Sequence, residues 1–236
     1  DLVWMTFDPA SREFAASTAT EGDTPAPSVP PVPKLETAED TFENPVTVDG
    51  RYFTVSRVSS RVYEIFAEGE ARLLGELKAK AETLWWLKAQ PGAVVGVGYY
   101  GATFRYDLAS GKLEEGQLDN RAAGGNSIMF VEAVSPTCVV GANYSQQNLF
   151  TINPRTGDTM SSLAKIAKVP GEAMCAVGLH GKAYLGIYIQ SVFSEYDPTR
   201  VLVYGENPRE LAHIGPTYAQ TRPRAGVTDG ARVYFT

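Results

Sequence analysis

Apolar and polar residues alternate along most of the chain in short runs, and each run ends in a turn rich in Gly, Pro, Asp or Asn. A period of two marks half-buried strands, and regular spacing of such runs with turn residues between them marks an all-β domain. No segment carries a 3.6-residue apolar period over about eleven residues, the length a helix needs to show itself. KAKAETLWWL (78–87) comes nearest and reads as loop running into strand.

One element recurs. A Gly-containing apolar run is followed by an alternating strand and then by a turn: FDPASRE (7–13), YDLASGK (106–112), INPRTGD (152–158) and EYDPTRV (195–201). Asp or Asn followed by Pro or a small residue sets a type I turn, and Gly supplies the positive φ that closes a hairpin. The strands before three of these turns superpose on Gly96, Gly141 and Gly186, and RYFTVSRVSSRVYEIF (51–66) is a further copy without the glycine. Upstream of each copy lies another apolar run with a tight turn: LWWLKA with QPG, MFVEAV with SPT, CAVGL with HGK, and RAGV with TDG at the C-terminal end. Each unit therefore reads as four strands in about 45 residues, and a four-strand period in tandem is the pattern of a β-propeller blade.

The aromatic–Asp–Pro–x–x–Gly signature resembles the broad superfamily of propellers outside the WD type, which includes Kelch-like, quinoprotein-like and gluconolactonase-like chains. The resemblance spans residues 1–236 except the interruption at 17–44, and it implies architecture without implying a function. No Gly-His…Trp-Asp pattern of the WD type is present. Four units begin near Asn44, Thr83, Asn126 and Glu172; the start of the chain aligns with strand c and its turn, and the end with strands a and b. That amounts to about five blades' worth of strands. Two arrangements are open: a segment of a larger ring of roughly six to eight blades, completed by another chain or a further segment, or ends that pair into a closing blade of a five-bladed ring. Residue 1 already lies in a strand-like run, which favours the first. Residues 17–44 are rich in Pro, Thr, Ser and acid, and read as a surface loop between blades.

Composition narrows the function. The formal net charge is −6 and no Lys/Arg run is present, which argues against a nucleic-acid partner. No apolar stretch approaches the ~18 residues of a membrane helix. Cys138 and Cys175 sit in apolar runs and read as buried free thiols. No Cys/His cluster has metal-ligand spacing, and no cofactor motif is present. Asn143 heads a glycosylation tripeptide, NYS.

Propeller geometry puts the b–c loops and the d-to-a crossovers on one face, near the mouth of the central channel. The ligand-binding candidates there are Tyr99, Tyr100, Tyr144, Gln146, Tyr188, Gln190, Asn126, Arg222 and Arg224. Aromatic rings stack on sugar faces, amides donate and accept, and Arg clamps carboxylates, so this inventory suits a carbohydrate or another polar, anionic small ligand. Trp85 and Trp86 point to opposite sides of their strand, one toward a blade core and one toward the channel. Catalytic candidates are few. His180 reads as a turn residue. His213 and Tyr218, with Arg222 to neutralise a carboxylate, are the set that would serve proton abstraction in an acidic-polysaccharide lyase. The reading is a carbohydrate-recognising propeller, extracellular or periplasmic, with lyase or glycoside hydrolase activity open; the alternative is a non-catalytic protein–protein interaction scaffold.

Overall fold

The computed structural model describes residues 2–19, 42–66, 70–79, 83–118, 128–143, 148–161, 171–189, 191–214 and 222–236. Every regular element among them is a strand. In chain order these are β1 (Leu2–Asp8), β2 (Glu13–Ala19), β3 (Val46–Val48), β4 (Arg51–Val55), β5 (Arg61–Ile65), β6 (Ala71–Glu76), β7 (Trp85–Gln90), β8 (Ala93–Gly98), β9 (Ala102–Asp107) and β10 (Leu113–Gln117). There follow β11 (Ile128–Ser135), β12 (Cys138–Asn143), β13 (Leu149–Ile152), β14 (Thr159–Ser161), β15 (Glu172–Leu179), β16 (Lys182–Tyr188), β17 (Val192–Tyr196), β18 (Arg209–His213), β19 (Gly226–Thr228) and β20 (Val233–Phe235).

They form five antiparallel four-stranded sheets among the described residues. Blade I is β3–β6, blade II β7–β10, blade III β11–β14 and blade IV β15–β18, each a meander from strand a to strand d. Blade V has the order β19-β20-β1-β2: the last two strands of the chain pair with the first two. Met5 lies opposite Phe235 and Phe7 opposite Val233, all four buried. The ends thus share one sheet, with β1 as strand c as the turn signature predicts. β2 runs on to Ala19, into the first residues of the Pro-rich stretch; 20–41 lie outside the described residues.

Blades stack face to face as in a propeller, and each contact has its own core. Phe53, Val55 and Val62 of blade I meet Trp85, Leu87 and Phe104 of blade II. Val97 and Leu118 of blade II meet Ile128, Val139 and Phe150 of blade III. Val140 and Leu149 of blade III meet Leu185, Ile187 and Tyr196 of blade IV, and Val177 and Phe193 of blade IV meet Met5, Phe7 and Phe235 of blade V. Burying a side chain of this size stabilises by about 2 kcal/mol, so these four cores carry the fold. Among the described residues no apolar cluster joins blade V to blade I.

The repeated glycine has a packing cause. Gly96 lies opposite Phe104 and Gly141 opposite Phe150, and each ring lies across the strand where a Cβ would stand. The repeated turn also has one cause. The Asp8, Asp107, Asn153 and Asp197 side-chain oxygens accept backbone N–H groups two or three residues on, and Asp229 does the same in the a–b turn of blade V. The central strands are tied across blades as well. Lys88 on β7 pairs with Glu132 on β11 at 2.6 Å, and the other oxygen of Glu132 accepts the N–H of Gly178 on β15 at 3.1 Å.

Candidate functional site

The crossover face is built by the b–c loops and by the segments leading into strand a. In blade II the β8–β9 turn is pinned from three sides. The Tyr99 N–H donates to the Leu84 carbonyl at 2.7 Å, and the Tyr99 carbonyl accepts from Ile128 of blade III at 3.1 Å. The Leu118 N–H donates to Gly101, and the Gln117 amide donates to the Tyr100 carbonyl. On this support the Tyr99 ring stacks on Trp86 with centroids 6.3 Å apart and planes 16° from parallel. Tyr100 meets Tyr99 edge-on at 5.1 Å. Trp86 and Tyr99 are half-buried and Tyr100 is exposed, so the cluster keeps one side open. The two tryptophans lie on opposite faces of β7 as alternation predicts, but each meets an inter-blade core: Trp85 lies in that of blades I and II, and Trp86 packs beside that of blades II and III, where the sequence pointed one toward the channel.

In blade IV, Tyr188 ends strand b opposite Glu172. The Arg222 guanidinium lies over the Tyr188 ring, 4.4 Å from its centroid. Two contacts fix this pair. Gly171 brings its α-carbon against the Tyr188 carbonyl, where a Cβ would come to 1.4 Å. Pro223, next to Arg222, is buried and packs over Gly186 and Cys175. Arg222 makes no ion pair among the described residues. Arg224 is exposed two residues on, and its N–H donates to the Thr236 carbonyl at 2.7 Å.

Of the predicted ligand-binding set, Tyr99, Tyr100, Tyr188, Arg222 and Arg224 are described. Tyr144, Gln146, Gln190 and Asn126 lie outside the described residues, as does Tyr218 of the catalytic pair. His213 is exposed on β18, the outermost strand of blade IV, opposite Val192 at the crossover end. It stands two strands outward from β16, which carries Tyr188, a lateral offset of about 10 Å at ~4.8 Å per strand. His180 occupies the β15–β16 turn with φ of 53°, and its ring meets the Gly230 carbonyl of blade V at 3.2 Å.

Two findings went unread in the sequence. Asn143 is 1% exposed within β12, so the side chain that would carry a glycan is buried in the folded chain. Its side-chain oxygen is buried without a hydrogen-bond partner among the described residues, at the edge of the crossover face. The second is the reach of Glu132 across three blades, which no local pattern marks. The cysteines are buried and free, and burial pushes the Cys138 thiol up to about 11 and the Cys175 thiol up to about 12. Among the described residues no group of His, Cys, Asp or Glu is placed to hold a metal ion. No helix among them is long and apolar enough to cross a membrane.

No family model and no curated protein matches the chain. Solved structures match it in fold. Virginiamycin B lyase from Staphylococcus aureus superposes with a TM-score of 0.65 at 16% identity over 86% of this chain and 65% of that one. BamB from Moraxella catarrhalis gives 0.52 at 10% identity, over 81% and 57%. The WD40 domain of Pan2 from Neurospora crassa gives 0.50 at 7% identity, over 71% and 49%. The chain spans less than two thirds of the length of each. At these identities the likeness establishes the propeller fold and nothing finer.

Proposed function

We propose that this propeller binds a carbohydrate bearing an anionic group, or a polar ligand of similar chemistry, at its crossover face. The observation that carries the reading is Arg222, held over the Tyr188 ring at 4.4 Å from its centroid with no ion-pair partner among the described residues. A guanidinium in that pose presents its donor edge to a carboxylate or sulfate, and the aromatic face behind it limits the side-chain freedom lost on binding. The Trp86, Tyr99 and Tyr100 cluster two blades away supplies the stacking surface that a sugar ring takes. An extracellular or periplasmic setting accords with such a ligand.

Catalysis is the finer question. One structural neighbour is a lyase by name, and elimination next to a uronate carboxylate needs a base and a cation that neutralises the carboxylate. Arg222 suits the second role, and His213 with Tyr218 stays the proposed acid–base pair. The second reading is a non-catalytic scaffold. It is favoured by exposed Val201 and Tyr204 on blade IV.

The test is calorimetric titration against a panel of neutral and acidic oligosaccharides, with absorbance followed for unsaturated uronate. An acidic ligand is expected to bind, and Arg222→Ala to weaken it at least about tenfold. Tyr188→Phe keeps the cation–π shelf and should bind as wild type, whereas Tyr188→Ala should follow the arginine variant. If every ligand found binds Arg222→Ala as well as wild type, the site is elsewhere.

A further inference from the structure

Blade IV joins β17 to β18 through residues 197–208, a connection about twice as long as 108–112 in blade II or 153–158 in blade III. The long loop is built as a fixed object. Asn207 is 2% exposed, and its amide donates to the carbonyls of Asp197 at 2.9 Å, Arg200 at 3.1 Å and Val201 at 3.2 Å. Its side-chain oxygen accepts the Asp197 N–H at 2.9 Å. Val203 and Asn207 exchange backbone bonds in both directions, and Leu202 tucks against the core between blades III and IV.

What this framework holds out is apolar. Val201 is 81% exposed, Tyr204 54% and Val203 41%. Ordering a loop costs conformational entropy, and presenting three large apolar side chains to water recovers none of it within the single chain. A pre-ordered apolar projection lowers the cost of association, because little is left to be ordered on contact.

Beside the projection lies a cavity of about 330 Å³ between blades III and IV. Buried Cys138 and Ile152 give it an apolar floor, and exposed Met160, Thr137, Asp158 and Thr159 its rim. Its remaining wall includes Pro198 and Thr199, which begin the same loop whose tip is Val201–Tyr204. Projection and hollow are therefore neighbours on one patch, the arrangement a twofold axis needs for each copy to fill the other.

We infer that this face is a homodimer interface in which the Val201–Tyr204 tip of each chain enters the cavity between blades III and IV of a second copy. Tyr204 suits the hollow: its ring lies on the apolar floor and its hydroxyl meets the rim. The face carries the a–b and c–d turns, opposite the crossover loops, so the dimer leaves Arg222 and Tyr188 open and stands or falls independently of the ligand reading.

The experiment is analytical ultracentrifugation of the full chain up to about 100 µM, a range that resolves dimers of ordinary affinity. Wild type is expected to show a monomer–dimer equilibrium. A tip variant, Val201→Asp with Tyr204→Ser, and a cavity-filling variant, Thr159→Trp, are each expected to weaken it at least about tenfold. All three positions are exposed, so far-UV spectra, and melting temperature at dilution where wild type is monomeric, should hold. Mixing the two variants should restore association above either alone, because one intact tip then faces one intact cavity. A wild type that stays monomeric overturns the inference. So does a dimer indifferent to either variant, or a mixture that recovers nothing.

Discussion

At Gly96 the missing side chain is what the neighbouring ring occupies: a Cβ there would stand 2.0 Å from the Phe104 ring. Gly141 repeats the relation with Phe150 at 2.1 Å and adds the Phe130 carbonyl at 2.7 Å. Gly96→Ala should therefore cost about 2 kcal/mol through overpacking, read as a lower urea midpoint. Phe104→Leu in the same chain should cost less than the two single losses added, because the shortened side chain vacates the clash. A neutral Gly96→Ala would mean that the ring does not lie across the strand. The thiols make a second case. Burial holds Cys138 and Cys175 protonated, up to about 11 and about 12, so alkylation at pH 8 should be slow in the folded chain and fast in denaturant. Rapid labelling without denaturant would contradict their burial.

The turns connect residue chemistry to the behaviour of whole elements. Backbone N–H from Ser110, then the Arg105 and Ser110 side chains, hold the Asp107 carboxyl down to about 2. Asp229 is held down to about 2 by the Arg232 N–H first, then by Tyr234 and the Ala231 N–H. A carboxyl depressed in the folded state stabilises it fully above the unfolded value, near 3.9, and the contribution is lost as pH falls from there through about 2. Melting temperature should therefore drop across pH 4 to 2. Asp107→Asn should flatten part of that slope by lowering the melting temperature at pH 7, where the carboxylate's contribution is complete, and not at pH 2; the turn itself should still form, since Asn153 makes it without a charge. An unchanged acid slope would show that these turns do not report the fold's proton linkage. At this scale the sequence was most legible. Turn and strand alternation are local, so the start of each unit and the identity of β1 as a strand c could be read from residue spacing. The long β17–β18 loop was not legible, because EYDPTRV has the same opening as shorter turns and only Asn207, ten residues past Asp197, makes it rigid.

Across the molecule, what escaped the sequence is what depends on sheets meeting. Arg222 reaches Tyr188 only because the residues just before β19 lie against blade IV, and Glu132 serves three blades only because β7, β11 and β15 run side by side. The alternation in β1 would suit any strand b, so pattern alone could not choose β20 as its partner. Among the described residues the blades are unevenly supported. Blades II, III and IV are packed on both faces, and β8, β12 and β16 are buried almost throughout. Blades I and V share an apolar core on one face only among the described residues. On the outward side, Leu73 of blade I is 52% exposed and Val227 of blade V 56%. Local opening follows contact density, so native-state hydrogen exchange should rank the strands. Amides of β8, β12 and β16 are expected to exchange only through global unfolding, and those of β4 and β20 through openings of lower free energy. The two sets should separate as denaturant is raised, with the lower set showing the smaller dependence on it. Equal protection of β4 and β20 with β12 would mean that the outward faces of blades I and V are covered in solution, and that the molecule unfolds as one cooperative unit instead of from its two outer blades inward.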